Sequence, residues 1–515
     1  MRRIGPATES ALSTLALIVG VAVVLSVLNI VPSSSAPATT GQAAAPSAVG
    51  QTDGAPVANG TVVAKNGKLT SAKSSGNTQN GAAAPAAGAV PAARPGLTCA
   101  ASQNGGATDT GVDATSIKLA ATTVTDGPGA SFLAPMNTAM QAVVNKVNHD
   151  GGICGRQLDL KLANDSWQES LGENYIKNFV EGDHVFALAV NPDSEGLYGA
   201  AVSGYIARQR VPVIGTGGQN DAEYSNPWIW PVGTATTSQM HIMAKDAYQR
   251  GARNFAIVFD AKYHFGVEGA YAFDQAVKRL TGHDIPGYDR SLQRCSQRFC
   301  GIQPGQSSYA STATQFNNAC YQRQSTSTAC DFISYLLEPD LALSWLSNIP
   351  PASPAYGAAG AQPLFDRQAF AEQCHTACAF ETGFDVWTGF QPPEGTYAGE
   401  PAEAAYVNML RSYDGSADVD NQFVEGAYIG MNLLVSALQT VGPDLTRARL
   451  QAVLDAMTYR TGLSRPLAFK PGDHYANTSA MSWRLKYSNG SFSGFAPDVG
   501  FQSDPWVGQD SLSSH

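Results

Sequence analysis

The chain has 515 residues, is 43% hydrophobic and only 14% charged, contains 51 Gly, 29 Pro and 8 Cys, and carries a formal charge of −10. That acidic balance, with no basic run longer than two residues, excludes a general affinity for nucleic acid. A single stretch is apolar and long enough to span a bilayer, which excludes a polytopic membrane protein.

The apolar stretch is the uncharged run 11–31, preceded by Arg2 and Arg3. Twenty-one helical residues rise about 31 Å, the thickness of the hydrocarbon layer. The arginines then stay cytoplasmic and the rest of the chain lies outside. The expectation for 1–31 is therefore an N-terminal anchor with an extracytoplasmic body. The alternative is a signal segment cut near Ser34-Ser35-Ala36 and a secreted protein. From 32 to 98 the chain is mostly Ala, Gly, Pro, Ser and Thr, with five charges, Asp53, Lys65, Lys68, Lys73 and Arg94. Too little apolar surface is present there to offset the entropy of ordering, so a disordered linker is expected. Every one of the 7 Trp, 19 Tyr and 20 Phe lies at or after Phe132. The packed body is thus the C-terminal 400 residues or so, ample for one or two cores.

Within the body, Ile117, Leu119 and Ala121 alternate as in a strand, and Met136, Met140, Val143, Val144 and Val147 recur at helical spacing. Gly151-Gly152 ends that helix with residues suited to left-handed backbone. Leu158, Leu160 and Leu162 alternate again, and Tyr175, Ile176, Phe179 and Val180 form a second helical stripe. Short apolar runs at 185–190 and 211–214 flank a helix near 197–206. The pattern restarts around 230–237 with a helix at 240–248, a strand at 255–259, a helix at 267–280 and a strand at 332–336. An amphipathic helix begins at Val424, and another carries Leu450, Val453, Leu454 and Met457. Repeated βαβ units of this kind predict an α/β fold with parallel sheets covered by helices on both faces.

In such sheets, ligands sit beyond the carboxyl ends of the strands. The loops concerned are 123–131, 164–167, 191–195, 215–220, 260–266 and 338–340. They combine small polar residues with the aromatics Phe132, Trp167, Tyr263 and Phe265, a mixture suited to a small polar ligand with an apolar flank. Eight cysteines in an exported chain read as disulfides. Proximity suggests 295–300, 320–330 and 374–378, leaving Cys99 for Cys154. Metal binding at Cys374-His375-Thr376-Ala377-Cys378 lacks the second knuckle that zinc sites favour, so neither metal nor cofactor is expected.

The segment Val147-Asn148, Gly151-Gly152-Ile153, Gly155-Arg156, Leu158, Leu160 and Asp165 resembles the start of type I periplasmic solute-binding proteins, in the leucine/isoleucine/valine-binding branch of ABC importers. Later matches are Arg210-Val211-Pro212-Val213-Ile214, Phe255-Ala256-Ile257-Val258 with Phe265-Gly266, and the helix from Val424. The resemblance implies two α/β lobes joined by three hinge crossovers that close on a ligand. Lobe 1 then comprises 99–233 and most of 361–470, and lobe 2 comprises 234–360. Residues 471–515 form the last crossover and the tail. It also implies ligand-binding roles for Asn191, Asp193 and Ser194, for Thr216, Gly217, Gly218 and Gln219, and for Phe265. An acidic partner for an ammonium group maps to Glu338 or Asp340, while Phe132 and Trp167 supply ring surface. Asp193 puts negative charge where the family has small hydroxyls, and Phe265 lacks the usual phenol oxygen. Both departures weigh against a plain branched-chain amino acid as ligand.

An enzyme is disfavoured. Gly215-Thr216-Gly217-Gly218-Gln219-Asn220 half resembles a dinucleotide loop, but Asn220 stands where the third glycine belongs. Nucleophile-elbow, Walker and zincin patterns are missing from the sequence. The expected function is capture of a small, amino-acid-like polar solute for ABC permease and ATPase subunits. A membrane-tethered sensor on the same fold is the alternative.

Overall fold

The computed structural model describes residues 99, 103–192, 194–321, 329–349, 354–374 and 384–512. The 11–31 run and the 32–98 linker lie outside the described residues, as do Asp193 and Cys378. Among the described residues no helix is long and apolar enough to cross a membrane.

The alternation that starts at Ser116 builds a first sheet. β1 (Ser116–Thr123) runs parallel to β2 (Gln157–Asn164) on one side and β3 (Ala187–Ala189) on the other. β4 (Val213–Ile214) and β5 (Ile229–Trp230) extend it, giving the all-parallel order β2-β1-β3-β4-β5. The apolar residues of β1, β3 and β4 are fully buried, as strands covered on both faces must be. The Gly-Gly-Ile-x-Gly-Arg segment acts as scaffold. Gly151 and Gly152 take positive φ after the helix Met136–His149, and a Cβ on Gly152 would lie 2.1 Å from the Arg156 carbonyl oxygen. The buried Arg156 guanidinium then donates to the carbonyls of Asn104, Gly106, Asp113 and Pro443, pinning the N-terminal segment of the body.

The second sheet contains β6 (Phe255–Asp260), β7 (Cys295–Ser296), β8 (Phe299–Ile302), β9 (Phe332–Leu336), β10 (Ala358–Gly360) and β11 (Phe384–Thr388). A separate two-stranded ribbon follows, β12 (Thr458–Tyr459) with β13 (Leu467–Ala468). The long pair β14 (Ser479–Ser488) and β15 (Ser491–Ser503) completes the second sheet, in the order β15-β14-β11-β10-β9-β6-β8-β7. Its centre is parallel as expected, but its edges are antiparallel. β14 and β15 are joined at Asn489-Gly490, both at positive φ, the geometry of a tight hairpin turn. A second correction concerns the boundary placed at 361. β11 pairs with β10 and β14, so the chain stays in the second sheet until Thr388. Only then does it return to the first lobe, where the helices Pro401–Tyr413 and Gln422–Val441 pack on Met136–His149.

The chain thus passes between the sheets three times, and these crossovers are tied together. Asn477 Nδ2 donates to the carbonyls of Val232 (3.3 Å) and Gly389 (3.1 Å), and Thr234 Oγ1 donates to the Ser479 carbonyl (2.7 Å). Disulfides join Cys99 to Cys154, Cys295 to Cys300 and Cys320 to Cys330, the pairing that proximity suggested. Cys374 is also disulfide-bonded.

Candidate functional site

The carboxyl ends of the two sheets face one cleft. The first lobe contributes Phe132 and Leu133 from the short helix Ala130–Leu133 after β1, Trp167 after β2, Pro192 and Ser194 after β3, and Gln219 after β4. Phe423, at the start of the helix Gln422–Val441, closes that wall. The opposite wall is Phe265 after β6 and Pro363 after β10. The enclosed space is about 20 Å³, room for a single water.

Aromatic rings meet across this space. Trp167 stacks on Tyr263 with centroids 3.9 Å apart and planes 12° from parallel, and lies parallel to Phe265 at 6.3 Å. Phe132 meets Trp167 edge-on at 5.6 Å and Phe423 at 5.4 Å. Ser166 and Trp167 both sit in the left-handed region (φ 54° and 56°), as do Val190 and Asn191 (63° and 51°). Such backbone is costly for any residue with a Cβ, and most of all for branched Val190. Here it turns the chain sharply off the ends of β2 and β3 and delivers the indole to the cleft.

A polar contact also spans the two lobes. The Glu195 carboxylate, on the helix Ser194–Val202, accepts from the His264 backbone N–H at 3.2 Å and contacts His264 Nδ1 at 2.6 Å. His264 opens the helix His264–Thr281, so Glu195 sits where that helix's free N–H groups and dipole favour negative charge. The Tyr198 ring stacks on the imidazole at 3.5 Å. Burial lowers the pKa of His264, but the hydrogen bond and charge of Glu195, with Glu169 behind it, raise it more, and the net shift is upward.

The sequence from 116 to 491 matches the profile of the periplasmic binding protein family. The chain belongs to that family. No curated protein sequence matches it. Several solved structures share its fold at low identity. One is described as a possible leucine/isoleucine/valine-binding protein from Rhodopirellula baltica, with 14% identity and a TM-score of 0.61; the match covers 74% of this chain and 96% of that one. A fatty acid ABC transporter substrate-binding protein from Thermomonospora curvata is 18% identical (TM-score 0.59; 76% and 94% covered). A solute-binding protein of an ABC transporter from R. palustris, in complex with 4-hydroxybenzoate, is 12% identical (TM-score 0.59; 76% and 97%).

In this periplasmic binding protein the structure gathers Phe132, Trp167, Ser194, Gln219 and Phe265 around the cleft. The other described residues singled out from the sequence do not line it. Asn191 is buried and its Oδ1 accepts from the N–H and hydroxyl of Thr122, holding the turn after β3. Thr216 is buried beside Glu223. Gly217 accepts from Gln219 Nε2, and Gly218 accepts from the Tyr224 hydroxyl with no room for a Cβ, so both serve the loop's own architecture. Glu338 caps the helix Pro339–Leu346, accepting from the N–H groups of Asp340 and Leu341, and burial pushes its pKa up to about 7. Asp340 is exposed on that helix. Asp193 lies outside the described residues.

Leu133, Pro192, Pro363 and Phe423 were not anticipated. Leu133 and Pro192 adjoin residues that were, and an aromatic in the first turn of the long helix was a usable signal for Phe423. Pro363 follows β10, a three-residue strand too short to read from the sequence.

Proposed function

We propose that the chain is the extracytoplasmic solute-binding subunit of an ABC importer. It captures a small organic solute of amino-acid size by closure of two lobes and hands it to permease and ATPase subunits. Its N-terminal 11–31 run tethers it to the membrane. The observation that carries this reading is the double wall: the Trp167 ring after β2, with Phe132 edge-on beside it, stacks on Tyr263 after β6 across a cleft whose lobes are joined by three adjacent crossovers. A solute that bridges both walls gains contacts only in the closed state, and so shifts the population toward it. Binding without turnover accords with a family of substrate-binding proteins.

The test is a thermal-shift screen of the full chain against amino acids, amides, amines, aromatic acids and short fatty acids. Binding to the native state raises the melting temperature by mass action, by about 2.7 kcal/mol of stability at a hundred times Kd. At least one class is expected to shift it. Silence across all classes contradicts the reading.

Closure should also respond to pH. His264 has its pKa raised by the closed arrangement, so the stabilisation it supplies is complete below its ordinary value of about 6.5. That contribution is lost as pH rises through the raised value. Solute affinity is therefore expected to fall as pH rises from about 6.5 through that raised value, and His264→Ala to flatten the profile. An uncharged solute whose affinity stays constant over that range would contradict the role given to this pair.

A further inference from the structure

The charges around the cleft are distributed unevenly. Among the described residues lining it, none is ionisable. Buried carboxylates crowd the adjoining loops and helices, among them Glu195 beside Ser194, Asp260 at the end of β6, and Glu268 one turn beyond Phe265. Repulsion from Glu195 adds to the burial that pushes Asp260 up to about 7, which places both in one field. Two cationic side chains stand nearby. His264 is engaged by Glu195, and the exposed Lys262 reaches the Tyr263 hydroxyl at 3.0 Å.

The helix N-terminus on the second wall is already covered by an anion of the protein itself. Glu195 takes both the His264 N–H and the imidazole. Among the described residues, the buried polar atoms without a partner include two beside this cleft. Trp167 Nε1, on a side chain 4% exposed in the cleft wall, is a donor without an acceptor, and Asp260 Oδ2 is an acceptor without a donor. A carboxylate brought into this space would meet no cationic side chain among the described lining residues, and its neutral donors would replace only part of the hydration lost. An uncharged or cationic group would meet ring faces, the Ser194 and Gln219 side chains, and an indole N–H able to donate to an oxygen.

From this placement we infer that the cleft takes a solute with a flat or branched apolar body and no anionic group, an amide, alcohol or amine, and that Glu195 is the residue that rejects carboxylates. The inference rests on the solute-binding reading and narrows it: the solute is amino-acid-like in size and in its apolar flank, and lacks the free carboxylate.

The experiment is calorimetric titration of the full chain with two charge series on fixed bodies, benzoate, benzamide and benzylamine, then isovalerate, isovaleramide and isoamylamine. In each series the carboxylate is expected to bind at least tenfold more weakly than the better of its partners. Glu195→Gln is expected to narrow that gap several-fold by removing the competing charge, and the wild-type comparison stands without the variant should it fold poorly. A carboxylate that binds as tightly as its amide or amine overturns the charge selection while leaving solute binding intact. If both series are silent but other compounds in the broad screen bind, their charge decides: uncharged or cationic hits support the inference and anionic hits overturn it. If nothing binds, the importer reading falls with it.

Discussion

Gly215→Val is expected to destabilise the protein by about 4 kcal/mol, an exceptional loss for one substitution. Gly215 follows β4 at φ 84°, a conformation that costs a residue with a Cβ about 1–2 kcal/mol and a branched one more. A Cβ there would also lie 2.4 Å from the Cα of Gly430 and 2.7 Å from its carbonyl carbon. Gly430 sits mid-way along the helix Gln422–Val441, where glycine is itself unfavourable by roughly 1 kcal/mol against alanine. Two glycines face each other because backbone must touch backbone at the point where the long helix crosses the sheet. Overpacking adds about 1–3 kcal/mol. Gly490→Val is the control: Gly490 has a similar φ of 77° and nothing within 4 Å of its would-be Cβ. Urea midpoints should fall far more for Gly215→Val than for Gly490→Val, and equal losses would show that backbone conformation, not the helix contact, sets the cost.

Trp167→Ala should leave a folded chain whose cleft no longer holds solute. The indole is buried between the lobes and makes stacked contacts with two rings on the opposite wall. Aromatic pairs contribute about 0.5–1.5 kcal/mol each beyond their buried area. Losing two of them, with the ring face a solute would lie on, removes about 2–3 kcal/mol from the closed state, a loss of about 30- to 150-fold in affinity. The expected result is a large loss of affinity for any solute found by the thermal-shift screen, with a near-native circular dichroism spectrum. Retained affinity would place the solute elsewhere. Trp167→Phe keeps a ring face and should recover most of the binding, while removing the indole donor.

Where alternation is clean, the architecture was readable in advance. The apolar rows of β1, β2, β6 and β9 and the stripes of the helices between them announce a βαβ fold because burial on both faces forces those patterns. The edge strands were harder. β15 is 13 residues long but mostly exposed, with Ser, Gly, Pro and Asp among its residues, so no apolar rhythm marks it. Its hairpin was nonetheless written at Asn489-Gly490. The Cys295/Cys300 spacing likewise encloses the β7–β8 turn. Strand ends led to Phe132, Trp167, Ser194, Gln219 and Phe265 because parallel sheets place ligands there. The same rule misled at Glu338, because a carboxylate after a strand can equally cap the helix that follows. The loops 191–195 and 260–266 contain Glu195 and His264, but their contact was not legible, since nothing local in either sequence neighbourhood encodes a pairing across lobes.

The most direct measurement of the central claim is amide hydrogen exchange of the full chain with and without a solute from the thermal-shift screen. The account predicts that added protection concentrates on both walls at once: the turns carrying Phe132, Trp167 and Ser194 in one lobe and those carrying Tyr263, Phe265 and Pro363 in the other. The three adjacent crossovers should slow as well. Protection confined to one lobe, or lying away from these turns, would contradict closure of the two lobes on a bound solute.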